Sequence, residues 1–124
     1  MRTFTGIVID DEPPLRALFA KVLRRAGMQV FEAESANAAL ALVQTTSPDF
    51  VVTDIAMPEV DGIALCRRLR DDPGLKDLPI VIVSGNASTQ GADAIAAGCD
   101  AVLAKPCSPA TLLETIQRLL LKPS

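Results

Sequence analysis

The fold is decided by a segment that joins a short apolar run to three acidic residues, GIVIDDE at residues 6–12. Apolar runs of the same kind recur four times along the chain, and their β-branched residues are typical of strands. Four of the five runs are almost continuously apolar rather than alternating, which indicates strands covered on both faces of a parallel sheet. The predicted strands are residues 6–9, 29–32, 50–53, 80–83 and 101–104.

Amphipathic segments separate the predicted strands, and the fourth of them, about residues 89–97, is short and rich in Ala. On the third segment, Arg67, Arg68 and Arg70 are interpreted as a solvated helix face. Five strand-then-helix units predict the α/β class, as a three-layer doubly wound (βα)5 fold with a five-stranded parallel sheet and right-handed crossovers. We expect one domain over residues 1–124. The predicted helix starts or N-caps are Pro13, Ser35, Asp61, about residue 89 and Ser108.

The chain of 124 residues contains no His, no Trp and no Tyr. The lack of His excludes Ser-His-Asp and Cys-His hydrolases and His-ligated zinc sites. Without Trp or Tyr, flat cofactors and single-stranded bases have few side chains on which to stack. The net charge of −3 gives no support for direct binding to nucleic acid or to an anionic membrane.

The cysteines bear on the cellular compartment. Cys66, Cys99 and Cys107 form no CxxC motif and are odd in number, so we interpret them as reduced thiols. The N-terminal apolar run is too short for a signal peptide, and no other stretch approaches the length of a membrane span. These features together predict a cytoplasmic protein.

Polar side chains follow four of the five predicted strands. Asp10 and Asp11 follow the first strand, Asp54 the third, Ser84 the fourth and Lys105 the fifth. Ligands of open α/β sheets bind beyond the carboxyl ends of the strands, so we expect these groups in one site. Crowded carboxylates repel one another unless a cation lies among them, and Mg²⁺ prefers such oxygen ligands. Since an aspartate can carry phosphate covalently, the pattern predicts Mg²⁺-dependent phosphoryl transfer.

Four segments are similar to the motifs of one known family: IVIDDE at residues 7–12, VVTDIAMPEVDG at 51–62, PIVIVSG at 79–85 and AVLAKP at 101–106. Together they resemble the receiver domain of two-component response regulators, in particular the chemotaxis-type single-domain regulators. The resemblance extends from the first strand to the last helix. It implies a flavodoxin-like sheet with strand order 2-1-3-4-5, and a signalling phosphoacceptor rather than an enzyme.

The resemblance also implies a role for each site residue. Asp54 would accept phosphate from a histidine of a sensor kinase or of a histidine phosphotransfer protein. Mg²⁺ would be held by Asp11 and Asp54, by Asp10 mainly through water, and by the backbone carbonyl of Ala56. Lys105 would pair with Asp54 and then with the phosphoryl group.

Further implied roles concern the switch that follows phosphorylation. Ser84, with the adjacent Gly85, would close over the phosphoryl group, and the bond to Pro106 would be cis. Ala56 and Asn86 stand at the two positions that tune phosphate lifetime in the family. Val102 stands where members with an aromatic switch carry Tyr or Phe, so the route to an output protein, whose identity is unknown, differs from theirs.

Other functions were weighed against this interpretation. A small phosphatase of the haloacid-dehalogenase type also forms an aspartyl phosphate, but it requires Asp-x-Asp after the first strand, where this chain has adjacent aspartates. A flavodoxin-like electron carrier needs a phosphate cradle where this chain is acidic. A degenerate receiver that only binds a partner would not need every phosphotransfer position to be filled. The resemblance leaves open a stand-alone regulator, or the receiver of a longer regulator or hybrid kinase.

Overall fold

Each apolar run of the sequence forms a strand and each amphipathic segment forms a helix, in strict alternation over the 3–121 range that the computed structural model describes. A short 3₁₀ turn, Pro73–Leu75, follows the third helix. The strands are β1 (Thr5–Ile9), β2 (Gln29–Ala33), β3 (Phe50–Asp54), β4 (Ile80–Ser84) and β5 (Ala101–Ala104). The α-helices are α1 (Pro13–Arg25), α2 (Ala36–Thr46), α3 (Gly62–Asp71), α4 (Ala87–Ala96) and α5 (Pro109–Leu121).

The five strands form one parallel sheet with the order β2-β1-β3-β4-β5. The chain winds outward from β1 in one direction to β2 and in the other through β3 to β5. This arrangement confirms the predicted doubly wound fold. It also places the loops after β1 and β3, which are neighbouring strands, at the same edge of the sheet.

A helical layer covers each face of the sheet, because alternate side chains of a strand point to opposite faces. On one face, Ile7 and Ile9 of β1 belong to a cluster completed by α2, α3 and α4. On the other face, Val8 of β1 packs in a cluster with residues of α1 and α5. The central strands β3 and β4 are buried at every position, which explains their uninterrupted apolar sequences.

Three predicted helix caps are confirmed, and at one of them the side chain of Ser108 accepts a hydrogen bond from the backbone N–H of Thr111 (3.1 Å). The side chain of Ser35 accepts a hydrogen bond from the backbone N–H of Ala38 (3.1 Å), and that of Asp61 accepts one from Ala64 (2.8 Å). The fourth helix begins at Ala87, earlier than predicted, and Ala94 is the one residue of this fully described helix that is buried. α4 is therefore the helix with the weakest apolar anchoring.

The structure qualifies one sequence interpretation and corrects another. The run 101–104 was expected to be covered on both faces, and β5 packs Val102 against one cluster and Ala101 and Leu103 against the other, but this edge strand is only partly buried. Arg70 does not lie on a solvated helix face. Its guanidinium donates to the carbonyls of Gly98 (2.9 Å) and Leu75 (2.8 Å) and pairs with Asp100 (3.0 Å), so it ties α3 to the loop before β5.

All three cysteines are unpaired, with Cys66 and Cys99 buried and Cys107 partly buried. Burial raises the pKa of the Cys99 thiol to about 11 and also raises the pKa of Cys66. Both buried thiols are therefore uncharged near neutral pH and behave as small apolar side chains. None of the helices between residues 3 and 121 has the length and apolar character needed to cross a bilayer.

Candidate functional site: an acidic cluster at the carboxyl edge of the sheet

The predicted polar residues lie together at the carboxyl edge of the sheet. Asp54 and Ser84 are the last residues of β3 and β4 and are buried, whereas both were expected to lie just beyond the strands. Asp10 follows β1 directly and is also buried, and Lys105 follows β5. The convergence arises because these strands run parallel and end at the same edge.

Four carboxylates meet at this edge. Asp10, Asp11, Glu12 and Asp54 each offer one oxygen, and these oxygens all lie within 4.8 Å of one another. Asp10 and Asp54 form the buried floor, and Asp11 and Glu12 are exposed above it. The sequence places Glu12 directly after Asp11 in the same acidic run, but the prediction counted only Asp10, Asp11 and Asp54 as members of the site.

Lys105 is the cation that faces the cluster. Its Nζ lies 2.9 Å from Asp54 Oδ2 and 3.7 Å from Asp10 Oδ2. Burial acts to lower the pKa of Lys105, but the hydrogen bond to Asp54 and the charges of Asp10, Asp54 and Glu12 outweigh it, and the pKa is raised above its usual value. Lys105 therefore stays charged across the physiological range. Its bond to Pro106 is cis, as the resemblance implies.

The charged form of Asp10 is disfavoured in the buried floor of the cluster. Burial raises the pKa of its carboxyl, and the charges of Asp54 and Glu12 raise it further. The backbone N–H of Glu12, which donates to Asp10 Oδ1 at 2.9 Å, and the charge of Lys105 oppose the shift without cancelling it. In the absence of a bound cation, the charged Asp10 carboxylate therefore lowers the stability of the folded protein.

Replacing Asp10 by Asn is expected to raise the melting temperature of the metal-free protein by about 2–5 °C. The neutral amide removes a charge that is unfavourably buried and repelled, and the ion pair that it gives up is long, at 3.7 Å. Thermal unfolding in EDTA at neutral pH, followed by circular dichroism, measures the change. Asp11→Asn is the matched control at the exposed neighbour and should shift the melting temperature less. A lower melting temperature for Asp10→Asn than for wild type would contradict this account.

The loop after β3 holds Asp54 from the other side. The backbone N–H of Ala56 donates to Asp54 Oδ1 at 3.3 Å, while Lys105 takes Oδ2, so each carboxylate oxygen has a fixed partner. Gly62 closes the loop by donating its N–H to the carbonyl of Ile55 at 2.9 Å. The side chain of Ala56 is small and exposed.

The loop after β4 carries the hydroxyl of the site. Ser84 Oγ accepts a hydrogen bond from the backbone N–H of Asn86 at 3.0 Å, which leaves its hydroxyl hydrogen to be donated elsewhere. Gly85 and Asn86 are exposed, and the part of the chain that the structure describes shows no side-chain cap from Asn86 to α4. A Cβ added at Gly85 would meet no atom within 4 Å, so this loop has room to change conformation.

Val102 lies on β5 and is partly buried against the cluster formed by α2, α3 and α4. A Cβ built on Gly91 of α4 would meet Val102 Cγ1 at 4.0 Å, so this side chain faces the middle of α4. The position at which the resemblance leads us to expect an aromatic switch residue is thus occupied by a compact side chain beside the weakly anchored helix α4.

The donor set of the acidic cluster fits a hard divalent cation. All four side-chain donors are carboxylate oxygens, two of them are exposed to a solvent that can supply further oxygen ligands, and no thiol or imidazole is among them. Mg²⁺ is bound in this way, by one or two carboxylates with several waters retained. A soft metal would be poorly matched to these ligands.

The comparison with protein families decides the assignment. The model of the family described as "Response regulator receiver domain" matches residues 7–117. The chain belongs to this family. Receiver domains are the signalling phosphoacceptors of two-component systems rather than enzymes in the ordinary sense, and they generally bind Mg²⁺ at an acidic pocket. This membership disfavours the phosphatase and electron-carrier alternatives.

Relatives of this receiver domain include both single-domain and longer regulators. The polar-differentiation response regulator DivK of Brucella ovis is 30% identical, with 95% of this chain and 97% of DivK covered. The phosphate regulon transcriptional regulatory protein PhoB of Pseudomonas aeruginosa is 32% identical over 94% of this chain, which spans about half (51%) of PhoB. A response regulator structure from Chloroflexus aurantiacus superposes with a TM-score of 0.91 at 32% identity, covering 98% of this chain and all of that one.

Proposed function

We propose that this receiver domain accepts a phosphoryl group on Asp54 in a Mg²⁺-dependent reaction and changes its affinity for a partner protein as a result. The observation that supports the proposal best is the placement of Asp54. It is a buried carboxylate with one oxygen 2.9 Å from the Lys105 ammonium, and it lies among three further carboxylates at an edge open to solvent. Such a group is both a nucleophile and the centre of a cation site.

The proposed step is a displacement at phosphorus. An oxygen of the Asp54 carboxylate attacks the phosphorus of a phosphohistidine, a new P–O bond forms and the P–N bond breaks. The imidazole nitrogen leaves with the bonding electron pair and takes up a proton from solvent. The chain has no His of its own, so the donor is a histidine on another protein, or a small phosphodonor in its place. We propose a sensor histidine kinase or a histidine phosphotransfer protein as that partner.

Lys105 and Ser84 act on the group being transferred. The Lys105 ammonium already faces Asp54 Oδ2 and can follow the charge from the carboxylate to the phosphoryl oxygens. The Ser84 hydroxyl, which uses only its acceptor capacity on Asn86, can donate to a phosphoryl oxygen. The backbone N–H of Ala56 holds Asp54 Oδ1 in place during the attack.

The acidic residues are proposed to hold Mg²⁺. When bound, Mg²⁺ neutralises the clustered carboxylates and offsets charge on the phosphoryl oxygens. Asp11 and Asp54 are the proposed direct side-chain ligands, with Asp10 acting mainly through water and the backbone carbonyl of Ala56 as a further ligand. Glu12 lies near enough to bind a water of the ion.

Phosphorylation would add a charge of about −1.5 to −2 at Asp54. We propose that Ser84 and Lys105 move toward this charge and that the loop after β4, with α4, follows. The exposed Gly85 and Asn86 and the single buried residue of α4 make this the region that moves at least cost. Without an aromatic ring at Val102, the change would be passed to the output protein by the surface formed by α4, β5 and α5.

We propose residues 1–124 as one receiver domain that acts in the cytoplasm. Its three unpaired cysteines suit a reducing compartment. We propose no direct binding to nucleic acid or to a membrane by this domain, because its net charge of −3 gives no attraction to polyanions.

Incubation with acetyl phosphate and Mg²⁺ is expected to add one phosphoryl group, observed as a mass increase of the intact protein. EDTA in place of Mg²⁺ should reduce labelling to background, because the crowded carboxylates then repel the anionic donor. Ca²⁺ serves as a control for non-specific effects of charge. Labelling that proceeds equally in EDTA would contradict the proposed role of the acidic cluster.

A further inference from the structure

The loop between β1 and α1 carries three of the four clustered carboxylates and has few backbone hydrogen bonds of its own. α1 opens with Pro13 and Pro14, which have no N–H with which to hold the preceding turn. Glu12 stands at the N-cap, and within residues 3–121 its side chain makes no cap hydrogen bond. Within the loop, the N–H of Glu12 donates to Asp10 Oδ1 at 2.9 Å, and further contacts to the loop backbone come from other segments.

Arg16 supplies such a contact. Its Nη1 donates to the backbone carbonyl of Asp10 at 2.9 Å, and its own backbone N–H donates to the carbonyl of Glu12 at 3.1 Å. The N–H of Asp10 donates to the carbonyl of Ala33 on β2 at 3.2 Å. The backbone of Asp10 is thus held on one side by the sheet and on the other by the guanidinium of Arg16.

The guanidinium is itself held in place. Its side chain is 18% exposed, and its Nε lies 3.3 Å from Glu32 Oε1 on β2. The second oxygen of Glu32 pairs with Arg24 at 3.3 Å. Glu32 therefore orients Arg16 from the edge of the sheet, and the fork of the guanidinium spans from there to the acidic loop.

We propose that Arg16 is a positioning residue for the acidic cluster, which sets the direction of the Asp10–Asp11 peptide and so holds the carboxylate of Asp11 in place for a divalent cation. The carbonyl that Arg16 binds belongs to the same planar peptide unit as the N–H of Asp11. Because this peptide unit is planar, fixing its carbonyl also fixes the orientation of the Asp11 N–H and the direction in which the chain enters Asp11. The inference rests on the proposed function, because it assigns Asp11 to the cation.

Arg16 acts on cation binding through the backbone of the acidic loop rather than through its charge. The contact of Arg16 with the acidic loop is made to the backbone carbonyl of Asp10, and its ion pair is with Glu32 rather than with a carboxylate of the cluster. Arg16 does not bind the ion itself, since the side chains that could do so are the four carboxylates. Groups of this kind, which orient ligands without binding the metal, typically change metal affinity by about 10–100-fold when they are removed.

The experiment measures Mg²⁺ binding to the full chain by isothermal titration calorimetry, with no phosphodonor present. Arg16→Ala is expected to weaken Mg²⁺ binding about tenfold. Arg16→Lys, whose ammonium can reach one of the two partners but not both, should fall between wild type and Arg16→Ala. Arg24→Ala is the matched control: it also loses a bond to Glu32 and one to a backbone carbonyl, that of Val30, and should bind Mg²⁺ within about twofold of wild type.

Two further readouts separate positioning from a general loss of structure. The amide resonance of Asp11 in the metal-free protein should move in Arg16→Ala and not in Arg24→Ala. At saturating Mg²⁺, the rate of labelling by acetyl phosphate should return to within about twofold of wild type in Arg16→Ala, since the nucleophile is intact. Unchanged Mg²⁺ affinity in Arg16→Ala and Arg16→Lys, or an equal loss in Arg24→Ala, would overturn the inference. Wild-type protein that binds no Mg²⁺ would instead overturn the proposed function.

Discussion

Asp54→Asn is expected to abolish phosphoryl labelling, with a rate at least about a thousandfold below that of wild type. The amide has nearly the shape of the carboxylate but no anionic oxygen to attack phosphorus. Its carbonyl oxygen can still accept a hydrogen bond from Lys105 or from the backbone N–H of Ala56, the two partners that hold Asp54 at 2.9 and 3.3 Å. The fold should therefore survive. The measurement is intact mass after incubation with acetyl phosphate and Mg²⁺.

Asp61→Asn is the matched control for this variant. Asp61 lies in the segment after β3, undergoes the same change of charge and caps α3, a role that Asn fills about as well. Its labelling should stay within about twofold of wild type. Labelling of Asp54→Asn at the wild-type rate would contradict the assignment of the nucleophile.

Gly62→Ala is expected to cost about 3 kcal/mol or more of folding stability. A Cβ at this position would overlap the backbone carbonyl of Asp54 and press on the Cα of Ile55, so the end of β3 would have to move. Backbone in a buried central strand cannot give way as the end of a long side chain can. The variant should also be labelled more slowly, because the strand end that shifts is the one that carries Asp54.

Gly91→Ala is the control for the general effect of replacing glycine. Gly91 lies inside α4, and an added Cβ would make only an ordinary contact with Val102. This change should stabilise the protein by about 0.5–1 kcal/mol, through the lower entropy of the unfolded chain. Chemical denaturation measures both variants. Equal stabilities for Gly62→Ala and Gly91→Ala would show that the close packing of Gly62 against β3 is not significant.

Local patterns in the sequence were sufficient for the fold class and for most of the site, whereas the strand order was implied by the resemblance to receiver domains. Buried parallel strands leave uninterrupted apolar runs, and the residue that follows each run must lie at one edge of the sheet, so Asp10, Asp54 and Lys105 could be brought together without a structure. The N-caps at Ser35 and Asp61 could be predicted because capping depends on residues three apart in the chain.

Features that depend on contacts between distant residues could not be predicted from local patterns. The sequence of β5 is as apolar as that of an inner strand, and its edge position follows only from the strand order, which the resemblance to receiver domains implied. Arg70 is spaced like a solvated residue, yet it binds carbonyls in two other segments. Arg16 likewise gives no sign in the sequence that its partners are the carbonyl of Asp10 and the side chain of Glu32.

The most direct test of the central claim is to locate the phosphoryl group within the chain. Treating the phosphorylated protein with borohydride reduces an aspartyl phosphate to homoserine, and peptide sequencing by mass spectrometry then identifies the reduced residue. The account predicts homoserine at position 54 and an unmodified Asp10, Asp11 and Glu12. Reduction at one of those three carboxylates, with Asp54 intact, would contradict it.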